Sequence, residues 1–253
     1  MEQSFIPIEK LAQEPYSIIL GYPKSTKTQQ KSRIKELKKL GIKSVSFQGE
    51  LRLGQINVLG KGYVGIVVLA KTKNKKVAIK IRRVDSPRKE MKNEARLLKI
   101  ANDATVGPIV FDSSNNIIVM EYLDGEKIGK WVKQLNGKGS STKLKSTIRK
   151  VLEDCYNLDK AGLDHGELSS IVKHVIIGKK RISIIDLESA STQRRVSNVT
   201  SATQGIFIGS GIAKTVNKIY KLPPKSKIIK ALRIYKHEPT QKNFDLVLKT
   251  LKL

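Results

Sequence analysis

The sequence predicts a mixed α+β chain whose first half builds an antiparallel sheet and whose second half is helical. Three observations predict it. Between Ser46 and Glu121 apolar residues fall in short runs, continuous or alternating, separated by glycine- and lysine-rich turns, as strands do. One amphipathic stretch, from about residue 86 to 101, interrupts those runs. Beyond Asp124-Gly125 the apolar spacing becomes that of helices and stays so to the end.

Residues 1–47 read as a basic N-terminal element packed on the sheet. Within it, Gln29–Leu40 is predicted helical: Ile34, Leu37 and Leu40 line one face, and Gly41 stands ready to cap the C-terminus. Residues 48–122 carry the sheet. Strand runs at Leu51–Leu59, Val64–Ala70 and Val77–Ile81 are divided by Gly60-Lys61-Gly62 and by the hairpin-like Lys73-Asn74-Lys75-Lys76. A helix is expected from Ser86-Pro87, where a cap and an N1 proline coincide, to Ala101, with Met91, Ala95, Leu98 and Ala101 on one side. Strands near Pro108–Asp112 and Ile117–Glu121 then complete five.

Residues 123–253 form the helical part. Lys143–Lys160 places Leu144, Ile148, Val151, Leu152 and Cys155 at helical spacing, with Gly162 just past the end, so Cys155 reads as core and not as a nucleophile. Two short strands, Val175–Ile177 and Ile182–Ile185, flank the turn Gly178-Lys179-Lys180. Basic helices broken at Pro223-Pro224 and Pro239 end on an amphipathic face of Phe244, Val247, Leu248 and Leu251.

Charge bounds the partners. Lys+Arg number 49 against 22 Asp+Glu, a net +27 spread along the chain, so a polyanion is the expected ligand. Glutamate does not keep pace with lysine as it does on merely solvated thermophilic surfaces. Basic clusters at 31–43, 127–150 and 214–236 nominate Lys31, Arg33, Lys35, Lys38, Lys39, Lys143 and Lys145 as phosphate contacts. An aromatic content of 5% argues against a stacking platform and for a folded RNA read by shape; no DNA sequence readout is expected. No window approaches the roughly 18 apolar residues of a membrane span, and the N-terminus lacks a secretory pattern. With a single cysteine, a monomer in a reducing cytoplasm is expected.

The chemistry-bearing residues come in order. Gly60-Lys61-Gly62-Tyr63-Val64-Gly65-Ile66-Val67 spells G-x-G-x-x-G-x-V between two predicted strands, which suits a loop whose backbone amides approach phosphates; a dinucleotide fold would place a helix after it. Lys80 ends Val77-Ala78-Ile79-Lys80, and a lysine on an apolar strand needs an anion. ATP phosphates would supply one. Glu94, between Met91 and Leu98, is the better-placed helix glutamate to hold that lysine, with Glu90 as the alternative. In this order and spacing the motifs resemble the protein-kinase-like superfamily. That resemblance implies a bilobal fold, a five-stranded antiparallel N-terminal lobe with one helix and an abbreviated helical C-terminal lobe, binding ATP through Gly60, Lys61, Gly62, Tyr63, Gly65, Val67, Ala78 and Lys80.

Ile118–Gly125 looks like a kinase hinge: Met120 would be the gatekeeper, backbone groups of Glu121 and Leu123 would read adenine, and Asp124 or Glu126 would meet the ribose. Leu163-Asp164-His165-Gly166-Glu167-Leu168-Ser169 is similar to the His-Gly-Asp-Leu-Ser/Thr of the RIO kinases and of the small kinase in the KEOPS complex. The resemblance implies catalytic roles for His165 and, in place of the family aspartate, Glu167, a base with one methylene more of reach. The family's asparagine position holds Val172, or His174 if two residues are inserted; His174 is then a metal or phosphate neighbour. Ile184-Ile185-Asp186-Leu187-Glu188 resembles the RIO Ile-Asp-Phe, making Asp186 the Mg²⁺ ligand and Glu188 an available second carboxylate. No Ala-Pro-Glu motif or long activation segment comes after it, and the resemblance covers about Leu53 to Ala190.

In size, basicity and short C-terminal lobe the chain also resembles an archaeal family of RNA kinases. This implies transfer of the ATP γ-phosphate to a ribose 2′-hydroxyl in the tRNA variable loop. Two other readings stay open: a RIO-type Ser/Thr protein kinase or ATPase acting on ribonucleoprotein, and a non-catalytic ATP-binding subunit of a tRNA-modifying assembly.

Overall fold

Short β-branched runs build the sheet of the first unit, and their order is set by which runs can pair antiparallel. The computed structural model describes residues 4–209 and 211–253. The chain divides into two units: the described residues up to Lys99 together with Pro108–Tyr122, and Ile100–Gly107 together with Leu123–Leu253.

The first unit begins with β1 (Ile6–Pro7) and passes two 3-10 turns, Ile8–Ala12 and Tyr16–Leu20, into α1 (Lys27–Lys39). A capping box starts α1: the Thr26 hydroxyl accepts from the Gln29 amide while the Gln29 side chain accepts from the Thr26 amide. Gly41 closes it at φ +71°, a conformation that a side chain would strain. β2 (Ser44–Ser46), β3 (Leu51–Leu53), β4 (Ile56–Val58), β5 (Gly60–Lys61), β6 (Gly65–Lys71) and β7 (Lys76–Arg82) come next, then α2 (Lys92–Asp103), β8 (Val110–Ser113) and β9 (Ile117–Glu121).

The main sheet has seven strands in the order β1-β2-β6-β7-β9-β8, with β5 also on β6; every pairing is antiparallel. Three of these strands are not predicted from the sequence, β1 and β2 from residues before 47 and β5 in the glycine loop, while the predicted Leu51–Leu59 run stays out of the sheet and folds on itself as the separate hairpin β3-β4. Strands of two or three residues carry too little period-two signal to be read beforehand. Ile8, Leu11, Ile19, Leu20 and Leu37 share one core with Ile66, Val68, Ile79 and Val119, so the N-terminal residues complete the sheet's hydrophobic face.

The α2 helix starts at Lys92, six residues after the predicted Ser86-Pro87 boundary. Tertiary bonds override the local signal. The Arg82 guanidinium donates to the carbonyls of Arg83 and Arg88 at 3.3 and 3.0 Å, and the Met91 amide donates to Asn115 O at 2.9 Å, which holds the intervening backbone out of a helix.

In the second unit β10 (Gly125–Lys127) leads into α3 (Ile128–Gln134) and the long α4 (Ser140–Lys160). Cys155 is fully buried on α4, and burial pushes its thiol well above the usual range, so it is inert packing. After α4 come α5 (Ile171–His174), β11 (Val175–Gly178) and β12 (Ile182–Ile184), and β10 adds a third strand to the two predicted. The helices α6 (Asn198–Phe207), α7 (Ala213–Ile219), α8 (Lys225–His237) and α9 (Gln241–Leu251) finish the chain. The buried Asp159 carboxylate ties two of them to α4: it accepts from the Asn198 amide and side chain of α6 and from the Tyr235 hydroxyl of α8, at 2.8–3.0 Å. No helix among the described residues is long and apolar enough to cross a membrane.

Candidate active site

Each unit holds one constellation. In the first, β5 and β6 carry the glycine loop, whose turn closes with the Gly62 amide on Gly65 O at 2.9 Å. A Cβ at position 65 would stand 2.9 Å from Lys80 Cγ and 3.0 Å from the carbonyl of Ile81. Only glycine lets β6 pass so close over the lysine. Lys80 itself, paired with Val67 in the β6–β7 register, is 5% exposed, and its Nζ donates to Glu94 Oε1 at 2.6 Å. Glu90, the alternative, faces Lys92 at 3.4 Å instead. Burying an ammonium requires a partner of this kind. Met91, just before α2, and Ala95 within it pack with Val64 and Ile118, and this apolar cluster fixes the helix that presents Glu94.

A feature that sequence reasoning missed steadies the glycine loop. Lys61 Nζ donates to the Tyr22 hydroxyl at 2.7 Å and stands 4.3 Å from the centroid of that ring. The Arg83 guanidinium lies 4.9 Å from the same ring and donates to Gly62 O at 3.0 Å, while the Val84 amide donates to Tyr22 O at 3.0 Å. The N-terminal element thus staples the loop's lysine and its backbone. Only the Gly21-Tyr22-Pro23 turn marked it in the sequence. Tyr63 at the loop tip is exposed, Ala78 pairs with Met120 in the β7–β9 register, and the Glu121 amide is used by Ile109 O at 2.8 Å. Leu123 belongs to the second unit.

The second constellation grows from the loop after α4. Gly166 has φ +88°, and a Cβ there would meet the Arg194 guanidinium at 2.5 Å and Ser189 O at 2.9 Å, so glycine is obligatory twice over. Asp164, buried, accepts from Arg194 Nε at 3.0 Å and from the Ser197 amide and hydroxyl at 3.1 and 3.0 Å, which anchors the loop from behind. His165 is fully buried, its Nε2 3.0 Å from Ile185 O and its Nδ1 facing the Glu167 amide at 3.4 Å. Burial depresses its pKa below the ordinary 6.5, opposed by its bond to Ile185 O, so the ring is neutral.

Glu167 is half exposed. One carboxylate oxygen accepts from the Ser189 hydroxyl; the other lies 3.3 Å from His174 Nε2 but is not aligned as a hydrogen bond. The buried His174 ring packs edge-on against His165, with centroids 5.1 Å apart. Val172 instead lies against Gly129 of α3, where a Cβ would stand 3.1 Å from Val172 Cβ; it packs the helix pair. Asp186, exposed just past β12, holds the left-handed backbone at φ +70°, a cost that a non-glycine residue bears where a carboxylate must be presented. Among the described residues no group of three or more His, Cys, Asp or Glu side chains could cage a metal. Mg²⁺ needs no such cage: it usually takes one or two carboxylates and substrate phosphates, and the oxygen donors of Asp186 and Glu188 fit that chemistry better than the His174 nitrogens.

Among the residues proposed for RNA, Lys31, Lys35, Lys38, Lys39 and Lys143 are exposed and Lys145 is partly so, its ammonium 4.9 Å from the Tyr220 ring centroid. Arg33 is a correction. It is 4% exposed, with Nη2 donating to Arg82 O at 3.3 Å and Nη1 3.9 Å from Glu36, so it belongs to the core of the first unit and cannot reach a phosphate.

Comparison with known proteins places these motifs in a family. A family model described as the RIO domain matches residues 68–198, just over half of the chain. An uncharacterized protein of Methanocaldococcus jannaschii is 29% identical over 99 residues, which span 39% of this chain and 81% of the relative. The KEOPS complex subunit Bud32 of Pyrococcus abyssi is 34% identical over 96 residues, 37% of this chain and 41% of that subunit.

Proposed function

The chain belongs to the RIO-domain family, whose members share a mixed α+β kinase-like fold and a general kinase or ATPase activity with ATP and Mg²⁺; on that premise we propose that it is an ATP-dependent RNA kinase. It transfers the γ-phosphate to a ribose 2′-hydroxyl of structured RNA, with tRNA the leading substrate. The observation that carries this reading is Glu167: a half-exposed carboxylate that accepts from the Ser189 hydroxyl and lies 3.3 Å from His174 Nε2, in a chain of net charge +27.

Lys80, held by Glu94, pairs with the nucleotide phosphates, and the glycine loop leaves room for backbone amides to approach them. Glu167 accepts the proton of the attacking hydroxyl; its oxygen forms the new bond to the γ-phosphorus, and the bond to the β-phosphate oxygen breaks, with ADP leaving. Asp186, with Glu188, would hold the Mg²⁺ that neutralises phosphate charge. The Ser189 hydroxyl orients Glu167, and His174 stands beside its other oxygen at 3.3 Å.

The test is a partition of label. The protein is incubated with γ-labelled ATP, Mg²⁺, bulk tRNA and a generic protein acceptor, and the product is split between nuclease and protease. Label lost to nuclease is expected. Label lost only to protease overturns the RNA reading in favour of a RIO-type protein kinase, and nucleotide binding without transfer favours a non-catalytic subunit. Glu167→Gln is expected to abolish transfer and leave RNA affinity unchanged; transfer at the wild-type rate would remove Glu167 from the role of base.

A further inference from the structure

The second unit has a cavity of about 630 Å³ between α6, α8 and the Leu168–Ser170 turn, used by none of the roles above. Its lining carries hydroxyls and an amide, with Ser169, Ser201 and Gln204, and two cations, Arg233 and Lys236, alongside the apolar Ile208, Ile229 and Leu232; among the described residues no carboxylate lines it. Arg233 and Lys236 stand three apart on α8, hence on one face, and both are exposed. Neither pairs with an acidic group among the described residues. Arg195 adds a third cation at the same end of α8, donating to His237 O at 3.3 Å. Two cations facing neutral donors, with no acid between them, suit an anion that also carries hydroxyls.

The cavity's place in the fold ties it to the chemistry. A Cβ on Gly205 of α6 would stand 2.6 Å from Ser169 O and 3.1 Å from Leu168 O, so α6 sits directly on the turn just after Glu167. Ser169 is two residues from Glu167, no more than about 7 Å of extended chain. The Ser169 edge of the cavity therefore lies within a short reach of the backbone that carries the proposed base.

We propose that this groove binds the sugar-phosphate backbone of the RNA acceptor, with phosphates on Arg233 and Lys236 and ribose hydroxyls on Ser169, Ser201 and Gln204. The inference rests on the RNA-acceptor reading and names where that acceptor lies. Contacts of this class position a nucleic acid without reading its bases, which matches recognition by shape.

The full chain is tested as Arg233→Gln/Lys236→Gln, beside Lys249→Gln/Lys252→Gln, which makes the same change of net charge on and just past α9. Affinity for bulk tRNA is measured across a salt series, and thermal melts verify that both variants fold. Each phosphate contact contributes about 0.7–0.9 to the slope of log affinity against log salt, so the groove variant should lose about 1.4–1.8 of slope and the α9 variant far less. Ser201→Glu, which removes no cation, should weaken binding in the same direction. Equal losses in the two double variants, or an unchanged slope in the groove variant while the wild type still labels RNA, overturn the groove and leave the RNA-kinase reading standing. Label on protein alone overturns both.

Discussion

Removing Lys80 should unfold the first unit more easily and silence nucleotide binding, and the two effects can be separated. Lys80 and Glu94 lie 2.6 Å apart with side chains each 6% exposed. Lys80→Met strips the ammonium from a carboxylate that water barely reaches. Breaking a buried pair in this way costs about 3–5 kcal/mol, and with roughly 2–4 °C of Tm per kcal/mol for a chain of this size the melt should fall by about 6–20 °C. Replacing both partners by apolar side chains of similar volume is often neutral, so Lys80→Met/Glu94→Leu should recover most of that loss. ATP binding should not recover, because the cation proposed to meet the phosphates is gone. Thermal melts with and without Mg-ATP report both quantities, since saturating ligand at about a hundred times Kd adds about 2.7 kcal/mol to the wild type. A Lys80→Met variant that melts with the wild type, or a double variant that regains the nucleotide-induced rise, would refute these roles for the pair.

Tyr22→Ala should raise KM for ATP about five- to thirty-fold, since two cation–π contacts worth roughly 0.5–1 kcal/mol each order the glycine loop. Tyr22→Phe keeps the ring and should fall between, and a wild-type KM in the alanine variant would dismiss the staple. His165 gives a pH signature. The unfolded chain binds its proton near 6.5 and the folded chain only lower, so this residue costs nothing above 6.5 and lowers stability as the pH falls below it. Denaturant melts from about pH 7 to 5 should show that decline, flattened in His165→Gln. An unchanged slope would mean that His165 is not held neutral.

The glycine loop, the buried lysine and its glutamate were legible because they are local. Gly60–Val67 and Lys80 lie on consecutive paired strands, and Glu94 announces its facing through Met91 and Leu98 at helical spacing. The hidden part is non-local. Tyr22 meets Lys61 across 39 residues and Arg194 meets Asp164 across 30, and no periodicity encodes such pairs. Arg33 misled for a different reason: a cation usually marks a solvated face, yet it lies four residues before the buried Leu37, on the same side of α1, and spends its charge on a strand-end carbonyl. The α2 boundary was lost to Arg82, whose bonds to two carbonyls outweigh the Ser86-Pro87 start signal.

One digestion tests the proposed acceptor most directly. Alkali cleaves RNA only where a free 2′-hydroxyl can attack the neighbouring phosphodiester, so a nucleotide phosphorylated at that hydroxyl survives joined to its 3′ neighbour. After reaction with γ-labelled ATP and tRNA, complete alkaline hydrolysis should leave the label in an alkali-stable dinucleotide. Label recovered on mononucleotides, or none on RNA at all, would contradict transfer to a ribose 2′-hydroxyl.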